Sequence, residues 1–317
     1  MHMKPLIISV IILAVLAAAS LVAGFYVCKF ALCPEEHGQM IEADRAKWED
    51  RVPGINGWYD SLHAQGLIKD TVVVRENGLK YHAVYASAPA PDSAAATAVL
   101  VHGYTDNFFC MMHIARIYRD SLNCNVLIFD QHHHGMSEGD AIQMGWLDRF
   151  VARDWIDAAH NIWSDRKVIV HGVSMGGATV MMLSGETLPP YVAGLVEDCG
   201  YTSVWKQFAK ELREGYHLPA FPVLNCASLI CRIKYGWGFK EASSTAQLAK
   251  STLPMLFIHG DSDTYVPTSE VYENYEAKTV GFKDLWLVPD TAHAASCQNR
   301  PAEYTEHLRQ FLKLVIQ

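Results

Sequence analysis

Residues 168–177 read VIVHGVSMGG, an apolar stretch that runs straight into a glycine, a serine and two more glycines. Val168, Ile169 and Val170 are β-branched and uninterrupted, the composition of a strand buried on both faces, and such strands belong to parallel sheets covered by helices. A buried strand has no use for an isolated hydroxyl at its end unless the chain turns sharply and displays it. Gly172 and Gly176 flank Ser174 as G-x-S-x-G, and residues without side chains let strand and following helix approach closely. The stretch therefore predicts strand, tight turn and helix, with Ser174 raised at the turn.

Working outward, five further runs have the same character: TAVLVHGY from Thr97, NVLIFDQ from Asn125, VAGLVEDCG from Val192, PMLFIHGDSD from Pro254 and DLWLVPDTAH from Asp284. Stretches of helical length lie between them, including Met111 to Leu122, Trp146 to Trp163 and Pro301 to Ile316. Alternation of buried strands with helices implies an α/β, doubly wound architecture with a mostly parallel sheet. Ahead of these runs, TVVVRENGLKYHAVYAS alternates on both sides of Asn77-Gly78, which predicts an antiparallel hairpin. Each parallel run ends in a polar or glycine-rich cluster. Ligands of open α/β sheets bind beyond the carboxyl ends of the strands, so His102-Gly103-Tyr104, Asp130-Gln131, Ser174, Asp198, Asp263 and the loop bearing His293 are expected on one rim. The longest excursion, Tyr201 to Leu253, carries Trp205, Phe208, Phe221, Trp237 and Phe239 and reads as a small helical cap, with a plain crossover helix as the alternative.

The 317 residues suffice for one large domain, and 34 acidic against 26 basic side chains leave no electrostatic footprint for nucleic acid. From Leu6 to Val27 no residue is charged, a length that crosses a bilayer as a helix. Ala17 and Ala19 offer an A-x-A cleavage pattern, so a signal peptide is the rival reading, but the apolar run continues through Leu21, Val22, Phe25 and Tyr26. The expected organisation is an uncleaved single-pass anchor over residues 1–30, a helical connector over 31–70, and the α/β domain over 71–317 with a possible cap at 201–253. The α/β domain is expected outside the cytoplasm. Eight scattered cysteines contain no C-x-x-C pair, so zinc is not suggested and no disulfide is assignable.

G-x-S-x-G between a strand and a helix is the context of a nucleophile elbow. The following helix begins at its base, so the Met175 N–H and the positive helix end face any negative charge that forms beside Ser174. With LVHGY, FDQHHHGMSEGD, GVSMGG and HGDSDTYVP followed by DTAHA in this order, the chain from about Val72 onward resembles an α/β-hydrolase of the serine esterase, lysophospholipase and serine aminopeptidase branch. The resemblance implies the α/β-hydrolase fold and a triad of Ser174 as nucleophile, His293 as base and Asp263 as orienting acid, in the chain order this fold produces. It implies a second oxyanion donor at the Tyr104 backbone N–H, where a bulky residue replaces the glycine of HGGG-type esterases. The Tyr104 side chain is expected to wall the acyl pocket.

Asp261 precedes Asp263 by two positions and would point the same way, and Asp198 reads as a cap for the loop CGYTS. In QHHHG, His132 and His134 share a side of an extended chain, but no third ligand is evident, so a structural role is preferred to a metal site. His171 reads as a satisfied core histidine. No cofactor is implied. The expected activity is hydrolysis of a carboxylic ester of a small molecule through an acyl-enzyme; an aminopeptidase, amidase or thioesterase, or a membrane-tethered binding module without activity, are the alternatives.

Overall fold

The computed structural model describes residues 3–35, 41–164 and 166–316. The six apolar runs that begin near Thr97, Asn125, Val168, Val192, Pro254 and Asp284 all form strands, whereas the apolar run near the N-terminus is a helix. In chain order the strands are β1 Ile68–Val74, β2 Lys80–Ala86, β3 Thr97–Val101, β4 Asn125–Phe129, β5 Val168–Val173, β6 Val192–Asp198, β7 Met255–Gly260 and β8 Lys283–Val288. The helices are α1 Met3–Leu32, α2 Ile41–Arg51, α3 Ile55–Ala64, α4 Met112–Arg116, α5 Asp148–Ile162, α6 Met175–Leu183, α7 Val204–Tyr216, α8 Val223–Tyr235, α9 Ser244–Leu248, α10 Ser269–Ala277, α11 Ser296–Asn299 and α12 Pro301–Val315.

The strands make one sheet in the order β1-β2-β4-β3-β5-β6-β7-β8. Pairing is antiparallel from β1 to β2 and from β2 to β4, and parallel across the rest. The connection leaving β3 goes to β4 on one side, whereas β5 lies on its other side and leads on to β6. This reversal makes the carboxyl ends of β3 and β5 the switch point at which such sheets bind ligands. Alternation along the strands feeds two cores. Ala98, Leu100 and Ile128 pack with Trp48 of α2, Ile55 of α3 and Leu308 of α12 on one face. Val99, Val101 and Leu127 pack with Trp155 of α5 and Val180 of α6 on the other.

Two local expectations are refined. The hairpin strands stop at Val74 and resume at Lys80, so the loop is longer than the two residues of the tightest hairpins. Gly78 takes a left-handed φ of 81°, its N–H donates to Arg75 O at 2.8 Å, and Asn77 Oδ1 accepts from Leu79 N at 3.1 Å. The stretch Met111 to Leu122 is not one regular helix. A 3₁₀ turn over Phe108–Met111 leads into α4, which widens into a π turn over Ile117–Ser121, closed by Leu122 N donating to Ile117 O.

The chain divides into two compact units. One comprises Glu35–Thr202 with Ser243–Gln317 and holds the sheet; the other comprises Met1–Pro34 with Ser203–Ala242 and holds α1, α7 and α8. Within the second unit, α1 and α8 pack side by side, with Gly24 so close to α8 that a Cβ there would lie 2.6 Å from the Cys226 Cβ. Phe208 meets Phe239 edge to face at 4.9 Å.

Candidate active site

Strand β5 delivers Ser174 to the switch point, and the turn that follows is as tight as its glycines allow. A Cβ on Gly172 would lie 2.1 Å from Gly176 O, and one on Gly176 would lie 2.0 Å from Val101 O. Ser174 itself sits at φ 58° and ψ −117°, a conformation L-residues rarely adopt. Its N–H donates to Asp198 O at 2.8 Å, which ties the turn to the end of β6. The hydroxyl is thereby presented above the sheet rather than within it.

His293 comes from the loop after β8. Its Nε2 lies 2.8 Å from Ser174 Oγ, and its Nδ1 lies 2.7 Å from Asp263 Oδ2. Asp263 belongs to the turn after β7 and is nearly fully buried. Its other oxygen accepts the backbone N–H groups of Tyr265 and Val266 at 2.9 and 3.0 Å. Burial alone would push this carboxyl up, but hydrogen bonds and charge from His259 and His293 together hold it at about 2. The carboxylate is therefore ionised across the neutral range. The Tyr265 and His293 rings are neighbours, with centroids 4.9 Å apart and planes tilted by 53°.

The loops after β3 and β4 are locked by a buried network. His102 Nε2 accepts from Gln131 N at 2.9 Å, so its Nδ1 carries the proton and donates to Gly103 O at 2.8 Å. Because a trans peptide holds its carbonyl and N–H on opposite sides, pinning Gly103 O directs the Tyr104 N–H the other way. Gly103 borders the serine: a Cβ there would be 3.6 Å from the Ser174 Cβ. The Gln131 side chain donates to His102 O and accepts from Thr179 Oγ1, joining β3 to α6. Met175, the other expected donor, is the first residue of α6, where no carbonyl within the helix can take its N–H.

The three histidines of QHHHG have protein partners. His132 Nδ1 meets Tyr81 OH at 2.6 Å, His133 Nδ1 meets Gly139 O at 2.9 Å, and His134 Nε2 accepts from Thr105 N at 3.1 Å. His134 thus braces the loop that carries Tyr104. Among the described residues, the one group spaced to hold a metal is Cys199, Asp263 and His293, which overlaps the Ser174 site. His171 is satisfied on both ring nitrogens, by Tyr118 OH at 3.2 Å and Tyr304 OH at 3.0 Å.

Asp198 does not cap the CGYTS loop. Its side chain accepts from Tyr304 OH at 3.0 Å and Ser296 Oγ at 3.2 Å, while the neighbouring Glu197 takes the Gly200 N–H at 2.9 Å. Alternation at the end of β6 turns the two carboxyls to opposite faces, and the loop folds back over Glu197. Asp261 is exposed and accepts from Ser262 Oγ. Of Asp198, Asp261 and Asp263, only Asp263 is hydrogen-bonded to His293.

His259 was not legible as part of the site. It is the penultimate residue of β7, four residues before Asp263, with Nε2 donating to Val266 O at 2.9 Å and lying 3.4 Å from Asp263 Oδ2. The spacing in IHGDSD was the available signal. A cavity of about 330 Å³ opens over Ser174, His293 and Tyr104, and its apolar wall includes Trp48, Met111 and Ile114. Lys47 and Arg51 line it too, both from α2, a helix whose sequence reads only as a connector.

The family model described as serine aminopeptidase, S33, matches residues 92–218. The uncharacterized protein YqkD of Bacillus subtilis is 30% identical over 224 residues, covering 70% of this chain and 73% of its own. The α/β-hydrolase domain-containing protein WAV2 of Arabidopsis thaliana is 25% identical over 225 residues, 68% of this chain and 69% of its own. Among solved structures, the esterase Pf2001 of Pyrococcus furiosus aligns over 79% of this chain and 93% of its own with a TM-score of 0.63 at 22% identity, a likeness of fold. An eight-stranded sheet with Ser174 at its switch point, together with these matches, places the chain in the serine aminopeptidase S33 family of α/β-hydrolases.

Proposed function

We propose that this chain is a serine hydrolase that cleaves a carboxylic ester through an acyl-enzyme, with Ser174 as nucleophile, His293 as base and Asp263 as the group that orients it. The observation that carries this reading is the unbroken chain from Ser174 Oγ to His293 Nε2 at 2.8 Å and from His293 Nδ1 to Asp263 Oδ2 at 2.7 Å. A serine hydroxyl needs a base within hydrogen-bond reach, and the base needs an acceptor on its other nitrogen. His293 takes the Ser174 proton as Oγ attacks the carbonyl, returns it to the leaving alcohol, and then activates the water that releases the acid. The developing oxyanion is received by the N–H groups of Tyr104 and Met175, a contribution of about 3 kcal/mol per donor. Apolar lining by Trp48, Met111 and Ile114 and a cavity of about 330 Å³ suit a small or medium acyl group.

Hydrolysis of an amide next to a free amine is the second reading. Asp106 lines the same cavity and offers a carboxylate for such an amine. The reading of the chain as a single-pass membrane protein rests on Ile7–Leu32, long and apolar enough to cross a bilayer, with the hydrolase domain, residues 71–317, on the extracytoplasmic side.

The test is labelling of the full chain by a fluorophosphonate, beside Ser174→Ala and His293→Ala. The intact protein is expected to be labelled, and the Ser174→Ala protein not. Turnover of p-nitrophenyl esters is expected to fall by at least about 10⁴-fold in either variant. Undiminished labelling of Ser174→Ala removes this serine as the nucleophile, and turnover of aminoacyl-naphthylamides alone gives the second reading precedence.

A further inference from the structure

Helices α1 and α8 run in the same direction at matched depth. Gly24 abuts Cys226, and Cys33 Sγ lies 3.2 Å from Tyr235 OH, so both contacts join residues 202 positions apart. A constant offset over nine residues means that each position on α8 lies level with the α1 residue 202 places earlier. Leu229 is therefore level with Val27, and Arg232 and Lys234 are level with Phe30 and Leu32, just beyond Lys29, the first charge after the apolar run. The start of α8, Val223, is level with Leu21, about 12 Å deeper along the helix axis than Lys29 at 1.5 Å per residue.

The chain from the end of α7 into α8 is built for that depth. From Gly215 to Cys231 there is no Asp, Glu, Lys or Arg. Phe221, in the turn before α8, is 75% exposed, and Leu229 and Ile233, one turn apart on α8, are 51% and 77% exposed, so an apolar stripe faces outward from the turn along the helix. Scattered apolar residues on a surface are ordinary, but a stripe continuous with a bilayer-length helix is not. Tyr216 packs edge-on against Phe30 at 6.2 Å, at the level where amphipathic rings gather in membrane proteins. The backbone of the tip is also largely self-sufficient. Pro219 and Pro222 have no N–H, Leu218 N donates to Leu212 O at 2.9 Å, and Leu224 N donates to Ala220 O at 2.7 Å. Such pairing is what allows a turn to enter a lipid environment.

We propose that the tip joining α7 to α8, residues 216–231, is a wedge buried in the same lipid leaflet from which the end of α1 emerges, with Lys29, Arg232 and Lys234 at the headgroup level. The inference rests on the reading of α1 as membrane-spanning. Its occupant is the bilayer itself, because the exposed stripe continues the lipid-facing surface of α1 at the same depth.

The experiment places photoreactive benzoylphenylalanine at Leu16, Phe221, Leu229 or Tyr272 of the full chain, in vesicles of phosphatidylcholine and phosphatidylglycerol, and reads lipid adducts by mass spectrometry after illumination. All four side chains are exposed, and circular dichroism checks that each labelled chain is folded. Adducts at 221 and 229 as abundant as at 16, with none at 272, are expected. Adducts at 16 without adducts at 221 and 229 overturn the wedge while leaving the anchor intact. Covalent dimers from position 221 in place of lipid adducts overturn it in favour of a second copy of the chain. No adduct at 16 removes the anchor reading, and the wedge with it.

Discussion

Ser174 occupies a backbone conformation, φ 58° and ψ −117°, that crowds any Cβ. Strain of this kind costs a non-glycine residue about 1–3 kcal/mol and persists only where the surroundings over-determine it. Here they do, through the Ser174 N–H on Asp198 O and the start of α6 directly behind. Replacing Ser174 by alanine removes the hydroxyl and keeps the strain, whereas glycine removes both. Glycine also gives up some stability by loosening the unfolded chain, about 0.4–1 kcal/mol. Ser174→Gly is therefore expected to exceed Ser174→Ala in stability by about 1 kcal/mol in urea unfolding, with both inactive. Equal stability of the two would mean that the turn is not strained at this residue.

Elements set how close those residues come, and the crossing of α6 over β3 and β5 is the tightest in the site. A Cβ on Gly176 would meet the backbone carbonyl of Val101, an atom that cannot move without shifting β3. Gly176→Ala is expected to cost at least about 3 kcal/mol and to yield little soluble protein. Gly57 in α3 is the contrast, since a Cβ there meets nothing within 4 Å. Gly57→Ala is expected to stabilise by about 0.5–1 kcal/mol through helix propensity, measured by thermal melting. Helix α2 contributes in another way. Glu49 turns back to accept from Gly54 N and Asn56 N, starting α3, and leaves Lys47 and Arg51 lining the cavity without an ion-pair partner among the described residues. Lys47→Ala with Arg51→Ala is expected to lower kcat/KM about tenfold for an ester ending in a carboxylate, with the neutral ester of equal length unaffected. An equal loss on both esters would show that the two cations serve only the packing of α2.

At the scale of the whole molecule, buried carboxyls give stability a pH profile. Burial pushes Glu197 up to about 8, against the opposing pull of His259 and the Gly200 N–H, and pushes Asp198 up to about 6. Both values lie above the ordinary ones of 4.5 and 3.8. A group whose pKa is raised by folding contributes fully below its unfolded value, and the contribution is lost as pH climbs through the folded one. Asp263, held at about 2, behaves in the opposite sense: its contribution is complete above its ordinary 3.8 and disappears as pH falls toward 2. Wild-type stability is thus expected to decline from mildly acidic toward alkaline pH. Glu197→Gln keeps an acceptor for Gly200 but has no proton to lose, so its Tm is expected to match the wild type at pH values near 5 and exceed it at about 8.5. Parallel curves for the two proteins across that window would exclude Glu197 as the source of the decline.

The sequence by itself determined the strand set, the family resemblance and the nomination of Ser174, Asp263 and His293. The reason is that a sheet buried on both faces demands uninterrupted apolar runs, and a serine at a turn this tight demands glycines at fixed offsets. Only the tertiary structure decided which aspartate meets His293, since Asp198, Asp261 and Asp263 all end or follow strands and differ in the direction their loops fold. The same holds for His134, whose brace on Thr105 joins loops 29 residues apart, and for His259, whose approach to Asp263 depends on how the β7 turn closes. Lys47 and Arg51 were hidden because nothing local tells a connector helix which cavity it will line. The pairing of α1 with α8 was hidden for a related reason: contacts across 202 residues leave no periodicity in either segment, and only packing brings Gly24 against Cys226.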